Sequence, residues 1–434
     1  MNSPYITSMD VSPQSDAPTH DCLVIGGGPV GLIAAVALAA QDLNVGLIAQ
    51  AHRPAGARPD TRTAALFEAS IAILETIGAW GGLADACAPL AGIRLVDDTG
   101  GILKAPEVVF RAAELDLPAF GYNVPQAALI EALRQCASRV SDHLEFIDGD
   151  GAQAVRPEPD LVCVELAGGR RVTARLVVAA DGRRSLTRAA AGIAVDEHVY
   201  GQSAVTCIFD HSRPHGGIST ELHRRAGPLT VVPMPGQRSS LVWVERADVA
   251  TRLARLDDEA FRRALGANLQ GLLGAITGPS PRAVFPLSSM TARSMGKNRI
   301  ALVGEAGHVM PPIGAQGLNL SMRDVATLVD LVVDAQAAGH DIGAAALLAS
   351  YDAARRGDVA TRTRAVDALN RSLLSDVLPV HLMRGAGLLA ANASGPLRRM
   401  IMRVGLKPSG PVPRLMRTPV AQTRGVIARQ SSLE

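Results

Sequence analysis

The fold is decided by residues 21–51, which read DCLVIGGGPVGLIAAVALAAQDLNVGLIAQA. The pattern predicts an apolar strand at 22–25, a glycine turn, an alanine-rich helix and a second apolar strand at 45–49. A strand, turn, helix and strand of this length form the βαβ unit from which open parallel sheets are built. The stretch therefore predicts an α/β fold with a Rossmann-like domain.

The glycines of this stretch have a spacing with a physical purpose. Gly26, Gly28 and Gly31 stand as G-x-G-x-x-G, with Pro29 and Val30 at the predicted start of the helix. The first glycine allows a tight turn, the second lets a phosphate approach the backbone, and the third lets the helix pack closely on the strand. Because a helix N-terminus offers free N–H groups and a positive dipole end, the motif predicts binding of a dinucleotide pyrophosphate.

A membrane span is the alternative interpretation, since residues 22–41 are uncharged and about as long as a spanning helix. Residues 1–20 contain no Lys or Arg, however, and glycines together with Pro29 interrupt the apolar run, so the dinucleotide interpretation is favoured. One feature departs from the usual fingerprint. The acidic residue that normally ends the second strand is replaced by Ala49-Gln50, although the Gln50 amide can still bond a ribose hydroxyl.

Composition and charge narrow the class of protein. The 434 residues are 47% hydrophobic and 19% charged, which is typical of a globular chain with two or three packed units. The five cysteines contain no C-x-x-C pair, so we expect reduced cysteines and no metal site. Residues 377–434 hold nine basic side chains against one acidic side chain, whereas the rest of the chain is net acidic. This segment favours either an anionic surface as partner or a solvated basic face.

A second loop motif follows a predicted hairpin. The strand at 171–178 runs directly into Asp181-Gly182, with Ser and Arg side chains on the next turn. This arrangement puts a carboxylate and backbone amides at the carboxyl end of a strand, which is where open α/β sheets bind ligands. An ordinary Asp-Gly turn has the same sequence, so the motif is informative only together with the others.

A third loop motif begins at Gly304-Glu305, after an apolar strand at 300–303. The Glu305 carboxylate can accept a hydrogen bond from a ribitol hydroxyl. A Pro- and Gly-rich loop then enters a helix near Asn319. The amides of residues 314–318 and the helix dipole can stabilise a negative charge on an aromatic ring system.

Together these three motifs resemble those of class A flavoprotein monooxygenases. Within that group, the chain from about residue 20 to about residue 410 is similar to the ubiquinone-biosynthesis hydroxylases of the UbiH type. The resemblance to the hydroxylases is carried by short runs: Arg62-Thr63-Ala64-Ala65-Leu66, Gly227-Pro228-Leu229-Thr230, Pro233-Met234-Pro235-Gly236, Ser239-Ser240-Leu241-Val242-Trp243, Gly317-Leu318-Asn319-Leu320 and Arg323-Asp324. Glu305 departs from the family, which mostly has Asp at this position.

The resemblance and the change of pattern after residue 195 predict the domain organisation. We expect an FAD-binding domain interrupted by a substrate-binding domain on a mostly antiparallel sheet, then a helical, basic C-terminal region. The predicted ranges are a disordered leader at 1–19, the FAD-binding domain at 20–90, 120–195 and 286–360, the substrate-binding domain at 91–119 and 196–285, and the C-terminal region at 361–434.

The family also implies which residues act. The expected FAD contacts are Gly26, Gly28, Pro29, Val30, Gly31, Gln50, Arg62, Gln126, Asp181, Gly182, Gly304, Glu305, Pro312, Gly317, Leu318 and Asn319. The expected catalytic set is Gly314, Gln316, Gly317, Leu318 and His308. For His308, a structural hydrogen-bonding role beside the cofactor is favoured over acid–base catalysis, and His223 and Arg224 are alternatives in the inserted domain.

The implied reaction is the hydroxylation of an aromatic ring through a flavin hydroperoxide, with O₂ as co-substrate and NAD(P)H or a reductase as electron donor. The implied substrate is a polyprenylated phenol of ubiquinone biosynthesis. Two alternatives stay open, namely a hydroxylase of a small soluble aromatic and a flavin-binding scaffold subunit of a quinone-synthesis complex.

The expected partners are a hydrophobic small molecule, other ubiquinone-synthesis proteins and a membrane surface, with no nucleic acid. We expect a cytoplasmic location, with the C-terminal region either lying on the inner membrane or packing on the body of the protein.

Overall fold

The computed structural model describes residues 18–50, 60–99, 106–149, 151–374, 387, 389–390, 392–406 and 410–417. Almost all of the predicted leader at 1–19 lies outside these ranges, as does much of the predicted C-terminal region.

The described strands, in chain order, are β1 (His20–Ile25), β2 (Val45–Gln50), β3 (Thr63–Phe67), β4 (Ala88–Pro89), β5 (Gly92–Asp97), β6 (Val108–Arg111), β7 (Gly121–Pro125), β8 (Leu144–Gly149), β9 (Ala152–Pro157), β10 (Val162–Leu166), β11 (Arg171–Ala179), β12 (Val195–His211), β13 (Ile218–His223), β14 (Leu229–Met234), β15 (Arg238–Arg246), β16 (Ile276–Thr277), β17 (Ala283–Ala292), β18 (Gly296–Lys297), β19 (Ile300–Leu302) and β20 (His308–Val309).

The described α-helices are α1 (Pro29–Ala39), α2 (Glu68–Thr76), α3 (Gln126–Arg139), α4 (Leu186–Ala190), α5 (Ala247–Arg255), α6 (Asp258–Leu269), α7 (Gln316–Ala337), α8 (Ala345–Leu374) and α9 (Gly395–Leu406). Short 3₁₀ turns lie at Ala84–Ala86, Ala112–Leu115, Gly304–Ala306 and Arg414–Met416.

The first sheet is the one that the glycine motif predicts. Its order is β18-β19-β11-β1-β2-β8, and the five strands from β19 to β8 run parallel. Helix α1 is buried over nearly its whole length, because its alanines and leucines pack between this sheet and helices α3 and α7. The sheet and these helices enclose the largest apolar core.

The second sheet has the order β20-β17-β12-β15-β14-β13-β5-β6 and is antiparallel except between β13 and β5. One of its faces packs on α5 and α6 through a separate apolar core that includes Trp243 and Phe261. Strand β17 extends this sheet to Ala292, beyond the boundary at residue 285 that the sequence suggested. The reason is that residues 195–199, at the start of the long strand β12, pair with residues 288–292.

The two large sheets are joined by a small third sheet, β3-β7-β4, and by helices α7 and α8. The C-terminal helix α9 packs on the edge of the second sheet, where Met402 joins an apolar cluster with Phe110 and Phe120. The predicted fold class is confirmed: an α/β sheet, an inserted sheet that is mostly antiparallel, and a helical C-terminal region.

Candidate active site

The three loop motifs meet at one edge of the first sheet. Strand β1 pairs with β11, and β11 pairs with β19, all in parallel. Since each motif directly follows one of these strands, all three lie at the carboxyl ends of neighbouring strands. Backbone hydrogen bonds fix the start of two loops, from Ala180 N to the Ile25 carbonyl at 2.9 Å and from Val303 N to the Ala179 carbonyl at 3.0 Å.

The glycines of the first motif have different surroundings. A Cβ atom on Gly26, whose φ is +127°, would lie 2.2 Å from the Ala180 carbonyl oxygen, and one on Gly31 would lie 1.9 Å from the Gly26 carbonyl oxygen. Both positions therefore need glycine for packing. Gly28 has no heavy atom within 4 Å of the corresponding point, so its missing side chain leaves open space at the helix N-terminus.

That open space belongs to a cleft of about 610 Å³. Helix α1 starts at Pro29 after the extended residue Gly28, and no side chain caps its first turn. Its N-terminus is thus available to an anion such as a pyrophosphate. The cleft is lined by Ile25, Gly26, Gly27, Gly28, Ile48, Ala49, Gly151, Ala152, Ala180, Asp181, Gly182, Arg184 and Leu186. Gln50 ends β2 beside this cleft, but its side chain is outside the described residues.

The Asp181 carboxylate organises its own loop. It accepts hydrogen bonds from the Ser185 hydroxyl at 2.5 Å and from the backbone and hydroxyl of Thr187 at 3.0 and 2.9 Å. From the next turn, Arg188 donates to the Ala306 carbonyl at 2.8 Å. This side chain ties the Asp-Gly loop to the Gly-Glu loop across 118 residues of sequence. Sequence reasoning missed this contact.

A second cavity, of about 420 Å³, lies between the first and second sheets. Arg62, Gln126, Glu305 and Pro312 line it from the side of the first sheet, and the second sheet contributes β12, β15 and β17. The Glu305 side chain is exposed to this cavity. The Glu305 carboxylate and the Gln126 amide would both be available to a ribitol chain placed in this cavity.

Arg62 is held at the rim of this cavity. Its guanidinium donates to both carboxylate oxygens of Asp60, at 2.9 and 2.7 Å, and lies over the Phe285 ring at 5.5 Å. Hydrogen bonding to Asp60 raises the pKa of Arg62, so the side chain stays cationic. A fixed cation at this position can contact a phosphate or a flavin carbonyl.

The loop before helix α7 is pinned from both sides. Gly314 and Ala315 have φ of +65° and +53°, and Ala315 precedes the first helical residue, Gln316. The Asn319 amide donates to the carbonyls of Ala65 and Ala315 at 2.8 and 2.7 Å. Its oxygen accepts from Phe67 N at 2.9 Å and Ser70 Oγ at 2.7 Å. Asn319 therefore fastens the helix N-terminus to β3, which fixes where the N–H groups of Gly317 and Leu318 lie.

His308 faces away from this cavity into a buried ion-pair network. Its Nε2 lies 2.6 Å from the Asp324 carboxylate, and both side chains are fully or almost fully buried. Asp324 also accepts from Gly304 N at 3.1 Å and from Arg355 Nε at 2.8 Å. These contacts place His308 in the protein interior, and its role in the reaction stays a prediction.

The same ion-pair network continues to Asp358 on helix α8 and from there to Gln316 at the start of helix α7. The Asp358 carboxylate bonds Arg323 at 2.6 Å, Arg355 at 3.0 Å and Arg362 at 3.0 Å, and Arg362 donates to the Gln316 amide oxygen at 2.6 Å. Burial alone would raise the pKa of Asp358, but the ion pairs with Arg323 and Arg355 lower it to about 2. The network holds the Gly304 loop and the Gln316 turn in fixed positions relative to each other.

The geometry fits FAD. The open Gly28 turn at the N-terminus of α1 leaves room for a pyrophosphate, Glu305 and Gln126 would offer polar groups to a ribitol chain, and the N-terminus of α7 has no side-chain cap and would be available to an electron-rich ring. A family model described as FAD binding domain matches residues 19–366. The chain belongs to the FAD-binding monooxygenases. The resemblance to class A flavoprotein monooxygenases is thereby confirmed.

Two hydroxylases are similar to this chain over most of its length. Ubiquinone hydroxylase UbiL of Rhodospirillum rubrum is 39% identical over 402 residues, which cover 92% of each chain. The 3-demethoxyubiquinol 3-hydroxylase of Escherichia coli is 30% identical and covers 88% of this chain and 97% of the relative. The crystal structure of p-nitrophenol 4-monooxygenase PnpA from Pseudomonas putida superposes with a TM-score of 0.74 at 19% identity, covering 90% of this chain and 99% of that one, and supports the fold.

As an FAD-dependent monooxygenase, the enzyme uses flavin that is reduced at the expense of NAD(P)H to activate O₂. The protein's own contribution is positioning and electrostatics. The N-terminus of α7, with the N–H groups of Gly317 and Leu318, would stabilise negative charge on the reduced ring. Pro311 and Pro312 stiffen the loop beside the cavity, and the second sheet closes the opposite wall, which limits access of water.

Proposed function

We propose that this FAD-dependent monooxygenase hydroxylates the ring of a polyprenylated phenol in ubiquinone biosynthesis. The names of the UbiL and Escherichia coli relatives support this substrate class. In the proposal, FAD binds along the three loops: Gly26, Gly28, Pro29, Val30 and Gly31 hold the pyrophosphate, Gln50 the adenosine ribose, and Arg62, Gln126, Asp181, Gly182, Gly304, Glu305 and Pro312 the remainder. Gly314, Gln316, Gly317, Leu318 and Asn319 form the side next to the reacting ring.

The observation that carries this proposal is an apolar cavity of about 190 Å³ beside the α7 loop. Gly314 and Gln316 line it from the α7 loop, and helix α9 contributes Ile401, Met402, Gly405 and Leu406. Four further apolar side chains complete the lining: Phe67, Ile93, Phe110 and Phe120. An isoprenoid tail needs such a dry channel, because each CH₂ group transferred from water into it contributes about 0.8 kcal/mol.

Helix α9 supports a location at a membrane surface. Met402 packs on the body of the protein, whereas Met400, Ile401 and Val404 are 57%, 41% and 70% exposed on the outer side. The side chain of Arg403 is exposed on the same turn. None of the helices in the described part of the chain has an apolar stretch of membrane-spanning length. In the proposal, α9 lies in the bilayer interface and delivers the tail of the substrate directly to the apolar cavity.

Turnover of matched substrates tests this function. FAD-loaded enzyme is given NADH, NADPH or a reductase, O₂, and either a polyprenylated phenol in detergent or the same phenol without its tail. The proposal predicts ring-hydroxylated product and a KM at least roughly 100-fold lower for the prenylated phenol. Equal KM values would favour a soluble aromatic substrate instead. Enzyme that binds FAD but hydroxylates neither phenol would favour a scaffold subunit.

A further inference from the structure

The second sheet carries a buried carboxylate–imidazole pair. Glu221 Oε1 lies 2.8 Å from His223 Nε2, and the two residues are 8% and 3% exposed. The Thr230 hydroxyl, on the neighbouring strand, lies 3.5 Å from the other oxygen of Glu221. Such a pair is costly to bury, and neither residue belongs to the ion-pair network around Asp324.

Strand register puts this pair on the face of the sheet that borders the active site. Thr206 and Val242 line the 420 Å³ cavity and are partners across β12 and β15. Val242 is the partner of Thr230, and Thr230 is the partner of Glu221. Because register partners point to the same side, the Glu221 side chain lies on the same face as that cavity wall, two strands or about 10 Å away.

On the side away from β14, strand β13 pairs with β5, and a residue of β5 lines the apolar cavity. Glu221 is the partner of Leu95 on β5, and Ile93, two residues before Leu95, lines the 190 Å³ cavity. The alternate residues Leu222 and Trp243 point to the opposite face, into the core formed with α5 and α6. Glu221 therefore lies on the sheet face between Val242, which lines the flavin-side cavity, and Leu95, two residues from Ile93 of the tail cavity, and His223 lies two residues further along β13 on the same face.

One ring nitrogen of His223 makes no hydrogen bond with any described residue. A carboxylate can only accept hydrogen bonds, so a neutral His223 carries its proton on Nε2 and donates it to Glu221. Nδ1 then keeps its lone pair, and this atom is buried with no hydrogen-bond partner among the described residues. Buried acceptors without partners are rare, and other residues on the same face of this sheet line both cavities, so a ligand bound at this face can supply the missing donor.

We propose that His223 Nδ1 accepts the proton of the substrate's ring hydroxyl, and that Glu221 orients the imidazole and stabilises its charged form. This inference rests on the proposed function. In the step, the phenolic O–H bond breaks, an N–H bond forms at Nδ1, and the electron pair stays on oxygen. The resulting phenolate is more electron-rich at its ortho and para carbons, which are the carbons that an electrophilic oxygen attacks. No oxidant or reductant is consumed in this proton transfer.

The test compares two prenylated phenols, one ordinary and one ring-fluorinated so that its hydroxyl is already ionised at the assay pH. His223→Asn and Glu221→Gln are assayed as FAD-loaded proteins. With the ordinary phenol, kcat/KM should fall roughly 100-fold or more for His223→Asn and roughly 10- to 100-fold for Glu221→Gln. With the ionised phenol, both losses should shrink to about tenfold or less, because no proton remains to be removed. That recovery of activity would also show that the variants are folded and hold FAD.

Two matched controls separate proton transfer from packing. Glu245 is also 8% exposed but bonds Trp243 Nε1 at 3.3 Å, and His211 is 4% exposed with both ring nitrogens bonded. Glu245→Gln and His211→Asn should affect both phenols equally. An equal loss with both phenols in His223→Asn, or no loss, overturns the proposal. Wild-type enzyme that hydroxylates neither phenol overturns the proposed function itself, and the role of the pair with it.

Discussion

Gly28 differs from the other two glycines of its motif in what surrounds it. A side chain on Gly26 or Gly31 would strike backbone atoms, whereas the space beside Gly28 is open and its φ of −75° suits any residue. Gly26 and Gly31 are therefore needed for the fold. Gly28 is needed only for what binds beside it.

This difference predicts that a Gly28 variant folds normally but binds FAD more weakly. Gly28→Ala should melt at the wild-type temperature without FAD, because its methyl group meets no atom. Its affinity for FAD should fall roughly 10- to 100-fold, since the methyl group separates the pyrophosphate from backbone N–H donors. Fluorescence titration of the apoprotein with FAD measures the change. Gly168→Ala, at another glycine with open surroundings, is the control and should bind FAD normally. Unchanged FAD affinity in Gly28→Ala would contradict this placement of the pyrophosphate.

At the scale of elements, helices α7 and α8 are joined by ion pairs that also reach the cofactor loops. Removing one partner of a buried pair leaves an uncompensated charge. Asp358→Asn should therefore lower the free energy of unfolding by about 3–5 kcal/mol, as measured by urea denaturation. The control is Asp196→Asn, which removes a pair with Arg293 at 2.8 Å whose members are 68% and 66% exposed. Asp196→Asn should leave the urea midpoint nearly unchanged, and equal losses in both variants would contradict the role of the network.

The same carboxylate gives this prediction a pH dependence. Because folding lowers the pKa of Asp358 from the ordinary 3.8 to about 2, its charge stabilises the folded protein at pH values above 3.8. This contribution is lost as the pH falls from there through about 2. The difference in urea midpoint between wild type and Asp358→Asn should therefore be constant near neutrality and shrink below pH 3.8. A difference that grows with acidity would contradict the assigned direction of the shift.

Helix α9 gives a prediction about membranes. Val404→Glu combined with Met400→Glu should weaken binding to vesicles of anionic and neutral phospholipid by roughly tenfold or more, because two apolar side chains no longer enter the interface. Vesicle cosedimentation measures the change. Val199→Glu is the matched control, since Val199 is 65% exposed on β12. An equal effect of the control, or none from the α9 variant, would contradict the membrane-facing role of this helix.

Local patterns in the sequence predicted the elements that end in glycine motifs, because each motif directly follows an apolar strand. Contacts between distant elements were not predictable in the same way. His308 bonds Asp324, Arg188 bonds the Ala306 carbonyl, and Arg362 bonds Gln316, yet no spacing rule joins these residues. The His223–Glu221 pair also needed the sheet register, which shows that both side chains share a face with the cavity wall.

At the scale of the whole molecule, the proposed function depends on two sheets that border the same cavity. The first sheet places three loops at one edge through its order β19-β11-β1, and the second sheet supplies the opposite wall. Helices α7 and α8 hold the two together. In the proposal, the reacting ring lies between the FAD site at the first sheet and substrate contacts on the second sheet, and α9 lines the apolar cavity.

The most direct test of this account is the origin of the oxygen in the product. FAD-loaded enzyme is reduced and mixed with a polyprenylated phenol under isotopically labelled O₂, and the product is examined by mass spectrometry. The account predicts a ring-hydroxylated product that carries one labelled oxygen atom. Labelled hydrogen peroxide without labelled product, in enzyme shown to hold FAD and to bind the phenol, would contradict it.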